Sequence, residues 1–267
     1  MAPGRAPRHP DPFLRILDDP VTALVPWFAF SFLLEPLSLL DASLIAFALS
    51  VVLVAATRLR GEEPRTFEIS DAVLFAAIVA IALLRDPGSQ SWLSDHADTV
   101  SNVGLAVVAF VSVAIGWPFT AAYTELRFGE VDELVLERID KASTLIWGTA
   151  LCLASLVSIY GEWVLEQQTN LWTAWILQTV PLIVAFNLTL WIDRRALAPA
   201  AGTPELAPPS PALARDLLAW MIPVGLLSLV VGSDPSMLGW ALVVAGGAGT
   251  AIAWSGLRRY PRASPAK

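Results

Sequence analysis

Eight apolar runs, at about 21–34, 37–57, 69–84, 99–118, 143–160, 171–192, 215–232 and 236–257, leave this chain few folds to choose from. Only 15% of its 267 residues are charged, against about 25% in soluble domains. The shortfall is concentrated in the runs, which marks a polytopic membrane protein rather than one large core. The first two runs are parted only by "EPLSLLD". One helix through 21–57 would be roughly 55 Å long, against a hydrocarbon core of about 30 Å. It would also carry Glu35 at its centre, at on the order of 2.5–3.5 kcal/mol, and Pro36 would disturb its backbone ladder. A helical hairpin turning at Glu35–Pro36 avoids all three difficulties. The expected fold is an all-α polytopic transmembrane bundle of eight helices.

The cations give that count an orientation. With eight crossings and both termini cytosolic, Arg5, Arg8, Arg15, Arg58, Arg60, Arg65, Arg127, Arg138, Lys141, Arg194, Arg195, Arg215, Arg258, Arg259, Arg262 and Lys267 fall inside, and Arg85 alone falls outside. A seven-span alternative places fewer of them inside, so the positive-inside rule favours eight. Trp27, Trp117, Trp147, Trp163, Trp172, Trp175, Trp191, Trp220, Trp240 and Trp254 lie near predicted span ends, where indole prefers the headgroup level. Residues 1–20 read as a cytosolic tail and 258–267 as a basic cytosolic tail. The segment "ALAPAAGTPELAPPSPALA", 196–214, reads as an extended, semi-rigid linker. It divides a six-helix unit, 21–195, from a two-helix hairpin, 215–257.

The fourth run closes on "GWPFTAAYTELRFG", 116–129. Pro118 lacks an N–H and restricts Trp117 before it, which predicts that the fourth span ends or kinks there. Val131, Leu134, Val135, Ile139 and Ala142 then follow helical spacing and predict an amphipathic surface helix feeding span five. At these residues the chain resembles a family of bacterial integral membrane proteins that carries Arg-Pro-Phe-Thr-x-x-Tyr-Ala-Arg-Glu at the end of one span. An Asn-Arg-x-x-Thr-x-x-Trp-Gly pattern opens the next. Here "WPFTAAYTEL" matches at Pro118, Phe119, Thr120 and Tyr123, and "DKASTLIWG" matches at Thr144, Trp147 and Gly148, with Lys141 replacing the Arg. Trp117, Glu125, Leu126 and Asp140 depart from the pattern. The resemblance covers roughly 22–195. It implies a multi-pass protein of the bacterial cytoplasmic membrane and brings no settled activity with it.

The chemistry that can be read is sparse. A net charge of −7 argues against nucleic acid. Cys152 is alone, and His9 and His96 stand in unrelated polar segments. No zinc pattern, phosphate loop, nucleophile elbow or intramembrane aspartate pair is legible, so no catalytic, metal or cofactor residue is expected. Glu35, Asp41, Asp71 and Asp193 fall at predicted span ends, where Ser70 or Asp71 suits a helix N-cap. That leaves no buried carboxylate as a proton relay, which counts against a proton-driven pump. The deeper polar residues are Asn102, Ser112, Thr149, Ser155, Gln178 and Asn187. Gln178 and Asn187 straddle Pro181, and with Thr149 they would line a polar path or join neighbouring helices. Ala241, Ala245, Gly249 and Ala253, four apart in span eight, form a small-residue stripe suited to span seven, a homo-oligomer or another membrane protein. The leading expectation is a non-catalytic scaffold or assembly partner in the lipid bilayer. The alternative is a small-molecule permease or channel with its path along span six.

Overall fold

The computed structural model describes residues 20–34, 36–84, 87–121, 132–166, 171–200, 204, 207–231 and 236–257. Glu35, Tyr123, Glu125, Leu126, Val131 and both tails beyond these bounds lie outside the described residues. The protein is an all-α helical bundle, with no strand among the described residues. Its helices are α1 (Pro20–Ala23), α2 (Val25–Leu33), α3 (Leu39–Leu59), α4 (Thr66–Leu84), α5 (Pro87–Asp95) and α6 (Ala97–Ala114). They continue with α7 (Glu133–Ile159), α8 (Leu177–Ala200), α9 (Ser210–Val231) and α10 (Ser236–Leu257). Two wide π-helical turns, Tyr160–Val164 and Leu171–Ile176, follow α7 and precede α8. Each of the eight apolar runs holds a helix, and among the described residues five helices are long and apolar enough to cross a membrane: 39–59, 66–84, 133–164, 210–230 and 237–257. Thr99–Ala114 is a shorter apolar helix.

The chain divides into two units, Met1–Ser94 with Phe119–Gly129, and Asp95–Pro118 with Glu130–Lys267. In the first, α2 packs on α3 and α3 on α4. Ser38 caps α3 by accepting from the Asp41 N–H at 3.1 Å while its hydroxyl donates to the Asp41 carboxylate at 2.7 Å. That reciprocal cap starts the helix just past the expected Glu35–Pro36 turn. Phe75 fills the centre, with Trp27 and Phe30 at ring-centroid distances of 4.7 and 5.4 Å. Phe119, from the motif, packs against Phe67 at 5.5 Å.

In the second unit α7 is the axis, packed on α6 and α8, while α9 and α10 form a hairpin. At 27 residues α7 is about 40 Å long, some 10 Å more than the hydrocarbon core. The surplus is the amphipathic segment of the sequence reading, continuous with the span rather than a separate surface helix. There Asp132 caps by accepting from the Leu134 N–H, and Lys141 donates to Glu137 one turn earlier.

Three expectations are corrected. Gly116, not Pro118, ends the fourth span. It sits at φ +80°, and the N–H groups of Gly116 and Trp117 return to the carbonyls of Val113 and Ser112 at 3.1 and 2.8 Å. This paired closure needs a left-handed residue, which glycine adopts without strain, and Pro118 follows a helix already finished. The 196–214 linker is also shorter than expected. Its first five residues complete α8 and its last five begin α9, with Pro211 near the start of α9, where its missing N–H costs nothing. The third correction concerns Asp71. It is no cap, because α4 begins at Thr66 and the side chain is fully buried in the helix interior.

Candidate functional site

The second unit holds a polar network where the π turns interrupt its helices. A π turn widens the helix by one residue, and such turns recur at functional sites. The two here touch: a Cβ on Gly161 would lie 2.5 Å from Thr173 Oγ1, so only glycine permits this approach. Two spacings aim polar groups into the junction. Thr99 and Asn102 are one turn apart on α6, and Ser158 and Glu162 are one turn apart across the end of α7, so each pair shares a helix face.

Glu162 is the centre of charge. Its Oε1 accepts from Thr99 Oγ1 and from Ser158 Oγ, both at 2.9 Å. Its Oε2 lies 4.0 Å from His96 Nε2, and the His96 ring meets Trp163 edge-on at 5.8 Å. Gln178 carries the network onward. Its amide donates to Thr173 O at 2.8 Å and to Ser158 Oγ at 3.3 Å, while its carbonyl accepts from Asn102 Nδ2 at 3.1 Å. Gln178 thereby ties α6, α7 and the second π turn at one point. A primary amide has no proton to relay cheaply, so the chain of hydrogen bonds holds these helices together without forming a proton wire.

The first unit holds a second buried polar cluster. Arg65 Nη1 pairs with Glu68 Oε1 at 3.2 Å, and the Arg65 backbone N–H donates to Glu68 Oε2 at 3.3 Å. Thr57 Oγ1, from α3, donates to Glu68 Oε1 at 3.2 Å. One turn further along α4, Asp71 Oδ1 accepts from Trp27 Nε1 at 2.9 Å. With Asp140 and Asp193 also buried, the expectation that no carboxylate is buried is wrong. Their positions near predicted span ends suggested solvent, but neighbouring helices cover them. Among the described residues no group of three or more His, Cys, Asp or Glu side chains is placed to hold a metal ion.

The residues singled out for a polar path do not converge. Thr149 is exposed and its hydroxyl donates to Leu145 O in its own helix at 2.8 Å. Asn187 likewise donates to Ile183 O at 2.8 Å. Only Gln178 reaches another helix. Of the motif residues, Pro118, Phe119, Thr120, Thr144 and Gly148 are buried, and Trp147 and Lys141 are half-buried. Gly148 has a packing role, since a Cβ there would come within 3.1 Å of Phe110 and 3.2 Å of Ala109.

The stripe in α10 is corrected too. Ala241 and Ala245 are exposed, and the face against α9 is set by Gly239, Gly246 and Gly249. A Cβ on Gly246 would meet Leu218 O and Met221 Cβ at 2.9 Å, and one on Gly249 would meet Leu218 Cδ1 at 2.8 Å. Four residues turn a helix by about 400°, so a strict four-residue stripe drifts by about 40° per step and leaves the contact. On another face Ile222, Gly247, Thr250, Ala251, Trp254 and Ser255 line an open groove of about 550 Å³.

Comparison of the chain with protein-family models, with curated proteins and with solved structures returns no match.

Proposed function

We propose that this is a non-catalytic membrane protein that assembles with other membrane components and docks through its C-terminal hairpin. The observation behind this reading is uneven burial: 44% of the apolar stretch of 133–164 is buried, but only 11% for α9 and 17% for α10. Helix association in lipid relies on small residues and interhelical hydrogen bonds. The groove offers both, in Gly247, Ala251, Thr250 and Ser255. The setting we infer is a bacterial cytoplasmic membrane crossed eight times, with both termini cytosolic, supported by the cation distribution and the motif resemblance.

Gly247→Leu projects into the groove, since nothing lies within 4 Å of a Cβ there. In mild detergent the native protein is expected to run as an oligomer or with a partner, and this variant as a lone chain. A monodisperse native monomer whose behaviour Gly247→Leu leaves unchanged overturns the assembly reading. Reporter fusions after residues 62, 130 and 204 should be active in the cytosol, and fusions after 90 and 167 silent.

The second reading is a small-molecule permease with its path beside the head of α8. It is favoured by the Glu162–Ser158–Gln178–Asn102 network at two π turns and weakened by the separate placement of Thr149 and Asn187. Proteoliposomes in which solute flux falls on Gln178→Leu, with the protein still folded, would favour it over assembly.

A further inference from the structure

Asp71 is the most enclosed carboxyl among the described residues, 1% exposed. Its Oδ1 takes one hydrogen bond, from the Trp27 indole, and its Oδ2 has no hydrogen-bond partner among the described residues. Trp27 packs on Phe75, one turn further along α4, which also meets Phe30, and the first unit is charge-free over 25–33 of α2, 42–56 of α3 and 72–84 of α4. Glu68, one turn earlier on α4, is the nearest charge along the helix. It is already engaged by Arg65 and Thr57, and Glu62 and Arg60 lie beyond it in the loop. Among the described residues Asp71 therefore has a carboxylate's needs and no ion pair to meet them.

We propose that Asp71 is a proton-binding site of the first unit, independent of the assembly reading above. An ionised carboxylate in apolar surroundings costs far more than a neutral carboxyl lacking one hydrogen bond, and a proton is the ligand that removes this cost. A metal ion does not fit, because a hard cation takes about six oxygens or more. Here the hydrogen-bond partner among the described residues is one indole donor, with no oxygen ligand beside it. The Trp27 N–H favours the ionised form, and it connects α2 to α4. Proton loss and gain at Asp71 thus act directly on the link between these two helices.

The test uses the whole protein in liposomes and dicyclohexylcarbodiimide, an apolar reagent that reacts with protonated carboxyls. The carboxyl proton passes to a reagent nitrogen, the carboxylate oxygen bonds to the central carbon, and the whole reagent is added with no leaving group. Digestion and mass spectrometry are expected to find the adduct on Asp71 at least about tenfold above that on arginine-paired Glu68. Above its midpoint the labelling rate is expected to fall about tenfold per pH unit, as for one exchanging proton. Trp27→Phe is expected to extend labelling to higher pH, and Asp71→Asn to abolish it. No adduct at Asp71 from about pH 5 to about pH 9 in a protein that still elutes as a single folded species overturns the proposal. Labelling independent of pH overturns it too. Slowing by sodium or lithium at constant pH would assign the site to a cation instead.

Discussion

The protein contains two helical hairpins whose arms are each long enough to cross a bilayer, α3–α4 and α9–α10, and they are held by opposite means. The α3–α4 pair turns through 60–65 with Gly61 at φ +76°. It is fastened near that turn by an ion pair and a cross-helix hydroxyl, Arg65–Glu68–Thr57. Among the described residues the α9–α10 pair shows no such fastening. It closes by glycine, with a Cβ on Gly225 meeting Gly239 O at 2.7 Å and one on Gly239 meeting Ser228 Oγ at 2.6 Å. At the other end a charge joins in, where the Arg215 guanidinium lies 5.4 Å from the Trp254 ring. The first pair is 28% and 33% buried, the second 11% and 17%. Buried charge fixes a hairpin inside a bundle. Glycine packing fixes two helices to each other and leaves their outer faces to lipid or to a partner.

The most severe way to break this comparison is Glu68→Ala. It takes the nearest carboxylate from buried Arg65, and removing one partner of a buried pair costs about 3–5 kcal/mol. Thermal unfolding in detergent should fall accordingly, with Arg65→Ala and Glu68→Ala costing less together than the sum of the two alone. A cost below about 1 kcal/mol would show that water already reaches the cluster. Gly246→Leu should be next, at about 1–3 kcal/mol for overpacking, because backbone and Cβ atoms stand in its way. Its signature is loss of cross-linking between cysteines placed across α9 and α10. Thr57→Val should lower stability by about 0.5–1.5 kcal/mol, the worth of one hydrogen bond. Its absence of effect would leave the α3–α4 fastening to the ion pair alone. Smallest is Gly247→Leu, expected within about 0.5 kcal/mol of the native hairpin. Any larger loss in the isolated chain would mean that the outer face is packed after all.

Much of the architecture was legible in the chain. The apolar runs and the expected turn between the first two depend on residues close together in sequence. The polar interior was not. Trp27 and Asp71 are 44 residues apart, Thr99 and Glu162 are 63 apart, and Asn102 and Gln178 are 76 apart. Within each helix the spacing of Ser158 and Glu162 marks a polar face, but it does not say which helix that face meets. Proximity to a span end suggested water for Asp71 and Asp193, although whether a polar group is wet depends on what packs over it. Pro118 misled for a related reason. Proline forbids a helix to continue, but Gly116 had already ended it by returning its bonds to Val113 and Ser112.

By itself the sequence determined that this protein is helical and lives in lipid. Hydropathy and length act on each segment separately, and in a bilayer every segment must satisfy its own backbone. Tertiary structure alone decided which carboxylates are buried, which glycines are contacts and which face of α10 stays open. Those properties belong to pairs of helices, and a pair exists only once distant segments have met.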